Sequence, residues 1–371
     1  MKMTAVIFSN IYDDTLGELT AKRTVASLPF GGRYRQIDFT LSNMVNSNIM
    51  NVGVITKYNY QSLMDHLGSC QEWDLNHKNG GLYIIPPFAS GRATDVYRGK
   101  LEALHTAMSF LKAQNSEYIV LSDTITICNI DYRTVLEDHV KSGKDITAIA
   151  TKPVNYTDDN MLVLETGRKK EAKKIIVNYP ASENSLVGMG MYVMDREMLI
   201  KEVEEAVAEG FYHFERDFLQ KKFNEGSLSV NVFEFKGEML RNKNIATYFR
   251  NNLALLDEKI RNDIFKKSAP IYTKVRDEIP SYYGENSDVN ECIIADGCHI
   301  EGSAQYSVLF RDVKIEKGAK IKNSIIMQGA KIGENAYIEN AILDKNVTVT
   351  DGIRLIGTPD SPVIIKKGET I

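Results

Sequence analysis

The chain is poor in several things, and each shortage removes a class of protein. In 371 residues there are four cysteines, Cys70, Cys128, Cys292 and Cys298, with no close CxxC pair. That spacing excludes a disulfide scaffold and offers no zinc ligand set, so the thiols read as reduced residues of a cytoplasmic protein. The formal net charge is -4 with no long basic run, which leaves nucleic acid without an electrostatic footprint. No apolar run approaches membrane-spanning length. The opening MKMTAVIFSN is too short and unflanked for a signal peptide and is expected to enter a strand directly. Trp73 is the single tryptophan, and core packing or an interface contact suits it at least as well as a role in a site.

What is present is ordinary for a globular protein: 43% hydrophobic and 25% charged residues, in a chain long enough for two domains with substantial cores. From residue 1 to about 250, short apolar strands alternate with amphipathic helices. Strands are predicted at Met3 to Phe8, Val52 to Thr56, Tyr118 to Ser122, Asp145 to Thr151 and Val187 to Met194. Helices are predicted at Ser62 to Leu67, Gly99 to Gln114, Tyr132 to Ser142, from about Asp195, at Phe214 to Phe223 and at Ile245 to Asn262. This alternation predicts an α/β, Rossmann-like doubly wound sheet over 1–262, with its ligand site at the C-terminal strand ends. Residues 263–287, with Pro270, Pro280 and paired tyrosines, read as a linker.

Beyond the linker the chain repeats itself. Cys292-Ile-Ile-Ala-Asp-Gly-Cys-His-Ile300 aligns with Ser307 to Ile315, Ser324 to Ile332 and Ala341 to Val349. Each unit carries an aliphatic residue at its third place and another six residues later. Gly297, Asp312, Gly329 and Asn346 hold the sixth place, where a turn needs a residue tolerant of positive φ. This is the signature of a left-handed parallel β-helix of hexapeptide repeats over 288–371, with Cys292 and Cys298 as small packing residues. The β-helix end and the strand-like Ser361 to Ile365 are expected to make subunit contacts.

The first strand runs into a polar loop, Ser9 to Thr20, at the place where an α/β domain usually receives phosphate. Such a loop needs glycines for close backbone approach. This one has Asn10, Ile11, Tyr12, Asp13 and Asp14, and its adjacent aspartates repel an anion.

Several stretches together resemble the ADP-glucose pyrophosphorylase (glucose-1-phosphate adenylyltransferase) family over essentially the whole chain. The most specific is Pro29-Phe-Gly-Gly-Arg-Tyr-Arg-Gln-Ile-Asp-Phe-Thr-Leu-Ser-Asn43. Others are Tyr97-Arg-Gly-Lys-Leu-Glu-Ala103, Ser122-Asp123, Gly188-Met-Gly-Met-Tyr192 and Ile245-Ala-Thr-Tyr-Phe249. The resemblance implies attack of glucose 1-phosphate on the α-phosphate of ATP. That chemistry relies on a glycine loop, basic residues and Mg²⁺ held on carboxylates.

Set against the family pattern, the loop glycines fall on Asn10, Ile11 and Asp13, and the loop arginine on Thr15. In the following R-A-K-P stretch the arginine is kept as Arg23, while the lysine becomes Val25. One metal carboxylate is kept as Asp123; the second falls on Arg241, with Lys243-Asn244 after it. The sugar-phosphate lysine falls on Tyr179 and the sugar-side serine on Gly188, whereas the sugar-side Tyr97 is kept. His213 to Asp217 fills the family's D-F-G-K-D, matching only at Phe214 and Asp217; His213 reads as a surface or capping residue. Gly31-Gly32-Arg33 reads as a turn, from which Arg33 and Arg35 would attract an anion such as a regulatory sugar phosphate.

The pattern is similar to GlgD-type accessory subunits. It implies a non-catalytic or weakly catalytic chain that modulates a catalytic ADP-glucose pyrophosphorylase subunit in a hetero-oligomer, as a tetramer. No cofactor is expected here, and Mg²⁺ belongs to the catalytic partner. An active adenylyltransferase and a stand-alone sugar-phosphate or nucleotide sensor are the alternatives.

Overall fold

The computed structural model describes residues 2–11, 13–78, 80–87, 97–153, 159–160, 162–167 and 170–371; Tyr12 of the polar loop lies outside them. The chain divides into two compact units. The first comprises Met1–Ile11, Thr40–Tyr60 and Gly68–Gly237, and the second Tyr12–Phe39, Gln61–Leu67 and Glu238–Ile371. The stretch after the first strand is grouped with the C-terminal repeats.

The first unit is built on a nine-stranded sheet. Its strands are β1 (Met3–Phe8), β2 (Asn51–Ile55), β3 (Gly81–Ile85), β4 (Tyr118–Asp123), β5 (Ile146–Thr151), β6 (Val163–Thr166), β7 (Ala172–Ile176), β8 (Ser185–Asp195) and β9 (Val230–Glu234). They run in the order β7-β6-β8-β4-β1-β2-β3, with β5 on β8 and β9 on β5. The central β1 is parallel to both neighbours, Val6 standing beside Gly53 and Leu121. Burial on both faces explains why it reads as an unbroken apolar run.

The sheet is mixed in strand direction. β8 runs antiparallel to β4, β5 and β6. Among the described residues no helix separates β6, β7 and β8, and without a crossover helix successive strands pair antiparallel. The register of β8 against β5 shifts between Gly188 and Met191.

Three predicted helices are interrupted. The first breaks at Ala107 into Lys100–Thr106 and Met108–Ala113. The second opens as a π-helix, Phe214–Gln220. The third ends at Ala254, and Asp257 starts Glu258–Ile264 by accepting from the N–H groups of Lys259 and Ile260 at 2.8 and 3.2 Å. A capping carboxylate satisfies the donors that a helix start leaves unpaired.

In the second unit the repeats form three five-stranded parallel sheets wound into a β-helix. Ile300, Ile315 and Ile332 stack in register and are fully buried, as are Leu309, Ile326 and Leu343. The sixth-place residues Gly297, Asp312, Gly329 and Asn346 all have positive φ, between 58° and 79°. The coils begin earlier than the sequence indicates. Tyr282–Tyr283, inside the expected linker, pairs with His299 and Ile300, so backbone pairing overrides a local composition that reads as irregular. In another of the three sheets Val363–Ile365 pairs with Ala341 to Leu343 as the last strand.

Residues 12–39 add to this unit. Asp13–Leu19, expected as loop, is a 3₁₀ helix kinked at Gly17, and Pro29–Phe30 pairs with Tyr34–Arg35 as a hairpin. Phe30, Tyr34 and Phe39 make ring contacts with Tyr248 and Phe265, and the Tyr248 hydroxyl donates to the Pro29 carbonyl. A Cβ on Gly31 would lie 3.0 Å from Leu255 Cδ1, and one on Gly32 would lie 3.0 Å from Ile293 Cγ2. With φ of +62° and +85° as well, this turn accepts only glycine without strain.

Candidate functional site

Two places draw the sequence-predicted residues together, one in each unit. In the first unit Asn10 and Ile11 follow the C-terminal end of β1 and Asp123 ends β4. Asn10 fills the position of the family's first loop glycine and is buried. Its amide oxygen accepts from the Ser9 hydroxyl at 2.8 Å and the Lys57 N–H at 2.9 Å, and its Nδ2 donates to the Tyr58 carbonyl at 3.0 Å. These bonds tie the end of β1 to the segment after β2. Ile11, at the second glycine position, packs against the apolar core. A backbone that must approach phosphate closely is thus covered by two side chains. Tyr97 is 7% exposed, with Lys57 Nζ 5.5 Å from its ring centroid.

Asp123 ends β4 and is only 1% exposed. A Cβ on Gly190, whose φ is +75°, would lie 2.0 Å from Asp123 Oδ2. Gly190→Ala is therefore expected to cost about 2–5 kcal/mol, from left-handed backbone strain plus overpacking. Urea denaturation of the two proteins measures this, and an unchanged midpoint would refute it. Gly188 cannot take back a serine cheaply either, because its Cβ would meet Leu162 at 2.9 Å. Tyr179 lies on a two-stranded ribbon with Asn160 and is 55% exposed. Trp73 is buried in the core.

The π-helix start is held by Asp217, which accepts from the N–H groups of Tyr212 and His213 at 3.2 and 2.9 Å. Burial alone would raise the Asp217 carboxyl; hydrogen bonds from Arg216, His213 and Tyr212 outweigh it and leave it below the usual range. Its contribution to stability is present at neutral pH and is lost as pH falls through that lowered value. His213 lies against the Tyr212 ring, 4.4 Å between centroids.

The remaining predicted positions belong to the second unit. The Asp13 carboxylate does not face an anion: it is buried and accepts the Val25 N–H at 2.7 Å, closing the chain on itself. Thr15 is exposed and Val25 buried. Arg23, the retained basic residue, is buried in an ion pair with Asp344 of the β-helix. Arg241 lies in the short strand Leu240–Arg241. Mg²⁺ is held by one or two exposed carboxylates together with substrate phosphates. Asp123 offers almost no surface to such an ion, and the described residues contain no cluster of three or more His, Cys, Asp or Glu able to hold a metal.

The second place is a basic pocket, lined by Arg33, Tyr34, Arg35, His66, Lys274, Arg276, Arg311, Gln328 and Lys345, with Pro29, Gly32 and Phe310. The glycine hairpin delivers Arg33 and Arg35. Arg35 is fixed by donating to the Ser62 carbonyl and, at 3.0 Å, to its hydroxyl. Arg311, Gln328 and Lys345 occupy the fifth place of three successive coils, so the β-helix stacks them in a column.

Of the carboxylates near the pocket, Asp38 is already engaged, while Asp65 acts on Arg35 and Asp296 and Glu278 act on Arg311. Asp38 binds His66 and accepts from the Arg35 N–H at 2.9 Å and the Thr273 hydroxyl at 2.6 Å. Arg311 is 7% exposed, and its Nε and Nη2 have no hydrogen-bond partner among the described residues. A buried guanidinium with two N–H groups unused is costly unless an acceptor reaches it. Burial, with repulsion from Arg33 and Arg276, pulls Arg311 below its ordinary pKa. Burial and charge crowding bring Arg35 down to about 10. The arrangement suits an oxyanion such as phosphate or sulfate, which guanidinium forks bind in bidentate fashion.

Sequence reading found Arg33 and Arg35 but not Arg311, Lys345, Lys274, Arg276 or His66. The fifth-place column of the aligned repeats is the signal that would have exposed Arg311 and Lys345.

Comparison with known proteins agrees with this architecture. A nucleotidyl transferase family profile matches residues 14–238, and a GlmU-like C-terminal hexapeptide profile matches residues 279–361. The fold and these profiles thus define the class: a nucleotidyl transferase domain followed by a left-handed hexapeptide β-helix. The chain is 36% identical over 374 residues to glycogen biosynthesis protein GlgD of Geobacillus stearothermophilus, covering 99% of this chain and 96% of that one. It is 32% identical over 367 residues to GlgD of Bacillus subtilis (strain 168), with the same coverages. It is also 30% identical over 373 residues to glucose-1-phosphate adenylyltransferase of Bacillus mycoides (strain KBAB4), covering 99% of each. The chain belongs to the family formed by the GlgD proteins and the glucose-1-phosphate adenylyltransferases.

Proposed function

We propose that this chain is a non-catalytic subunit in glycogen biosynthesis, assembling with a catalytic glucose-1-phosphate adenylyltransferase and adjusting its rate. The observation that carries the reading is Asn10. Its side chain spends three hydrogen bonds on neighbouring residues where the family keeps a bare glycine backbone. The buried Asp123, the exposed Tyr179 and the closed Asp13–Leu19 helix point the same way. The second half of the reading is that the basic pocket receives an anionic, phosphate-bearing effector, by which the assembly responds to metabolite supply. No helix among the described residues is long and apolar enough to cross a membrane.

The test is pyrophosphate release from ATP, glucose 1-phosphate and Mg²⁺. The purified chain alone is expected to give none above background. Mixed with a catalytic relative from the same cell, it is expected to co-purify with that subunit and to change its rate or effector response. Robust turnover by the chain alone would overturn the non-catalytic reading. Failure to associate with or alter the catalytic subunit would overturn the subunit reading.

A further inference from the structure

We propose that the basic pocket binds a dianion together with a proton from solvent, and that Lys345 takes up that proton; this rests on reading the pocket as an anion site. Lys345 is half-buried, in the last of the three stacked coils. Arg23 and Arg35 of the 12–39 segment act on it, as does Lys367 from its own β-helix. The charge of Lys345 in turn acts on His66, from the helix Gln61–Leu67. Around the pocket, Arg33, Lys274, Arg276 and Arg311 add further positive charge.

The nearby carboxylates cancel it only in part: Asp38 and Asp65 act on Arg35, and Asp296 and Glu278 on Arg311. Asp344 is taken by Arg23, and Asp38 by His66, Thr273 and the Arg35 backbone. In such a crowd one group sheds its proton first. Arginine holds its charge at any ordinary pH, whereas a buried lysine gives it up readily. Burial, then repulsion from Arg35 and Arg23, brings Lys345 down to about 7. His66 is also pushed down, chiefly by burial, so near neutrality it is an uncharged imidazole on Asp38.

An entering dianion reverses the balance and restores the ammonium. The sign follows. Free, Lys345 is largely neutral above about pH 7; with the anion bound it is charged. Binding therefore consumes a proton in that range, and affinity falls as pH rises. Without ligand, the unfolded chain keeps its lysine proton to about pH 10 while the folded chain does not, so folding stability rises from about pH 7 toward pH 10. Bound anion removes that rise.

Sulfate is the probe, because it stays dianionic throughout. Calorimetric titration of the full chain, in two buffers of different ionisation enthalpy at constant ionic strength, counts the protons. About 0.9 per sulfate is expected near pH 8 and about 0.1 near pH 6, with affinity about tenfold weaker at the higher pH. Lys345→Arg is expected to remove both the uptake and the pH dependence. Sulfate binding without proton uptake would overturn this inference and leave the anion site standing. Uptake that persists in Lys345→Arg would assign the proton to another base and overturn Lys345 as its acceptor. Absence of sulfate binding in the wild-type chain would overturn the anion site and this inference together. The wild-type proton count needs no variant to fold.

Discussion

Asp344→Ala is expected to lower the unfolding free energy by about 3–5 kcal/mol, a large share of what holds a typical domain together. Asp344 and Arg23 are buried partners separated by more than three hundred residues of chain. Their attraction has to offset the cost of taking two charges out of water, so the pair as a whole contributes modestly. Removing one member is different: it leaves the other charge buried and uncompensated, here a guanidinium beside Met327. The effect reads out as a lower urea midpoint at unchanged slope. The companion variant separates loss of the pair from loss of packing. Arg23→Met combined with Asp344→Leu replaces two charges with apolar bulk and is expected to recover most of the loss. If Asp344→Ala falls within about 1 kcal/mol of wild type, the pair does not anchor residues 12–39 to the β-helix.

Arg311→Met is expected to act in the opposite direction. The wild-type guanidinium is buried with Nε and Nη2 unpartnered among the described residues. Deleting it removes an unpaid desolvation cost, so the ligand-free protein is expected to gain about 1–3 kcal/mol. The same change removes the fork that would hold an oxyanion. Saturating sulfate raises the stability of wild type by about 2–3 kcal/mol at a hundredfold excess over Kd, and leaves the variant unmoved. Thermal denaturation with and without sulfate measures both halves. A variant that is less stable without sulfate, or that still responds to it, would mean that Arg311 packs for structure and does not serve a ligand. The combination of stability gained and response lost marks a residue kept for binding.

Legibility from sequence differed between the two halves. The β-helix could be read almost residue by residue, since each coil repeats one local rule. Third-place aliphatics face inward, and the sixth place turns through positive φ, including Asp312 and Asn346. The sheet was legible as a set of strands but not in its directions, because strand polarity depends on whether a helix crosses over between β6 and β8. The same repeat alignment holds a clue that went unread. The fourth place is Ala295, Phe310 and Met327, then Asp344, and a charge in an apolar column requires a buried partner.

The candidate site was legible as a list of substitutions and not as an arrangement. Asn10 and Asp13 were identified as unsuited to phosphate from their residue types. That Asn10 bridges β1 to the segment after β2, and that Asp13 caps Val25, depended on partners distant in sequence or hidden in an unrecognised 3₁₀ helix.

Residue order alone determined the two architectures and the side chains that stand at the family's loop-glycine positions, because periodicity and side-chain type act over a few neighbouring residues. Only the tertiary structure decided that Arg33 and Arg35 share a pocket with Arg311 and Lys345, and that Arg23 pairs with Asp344. Those charges come together through the winding of the coils and the docking of the hairpin, and electrostatics depends on distance in space, which chain position does not record.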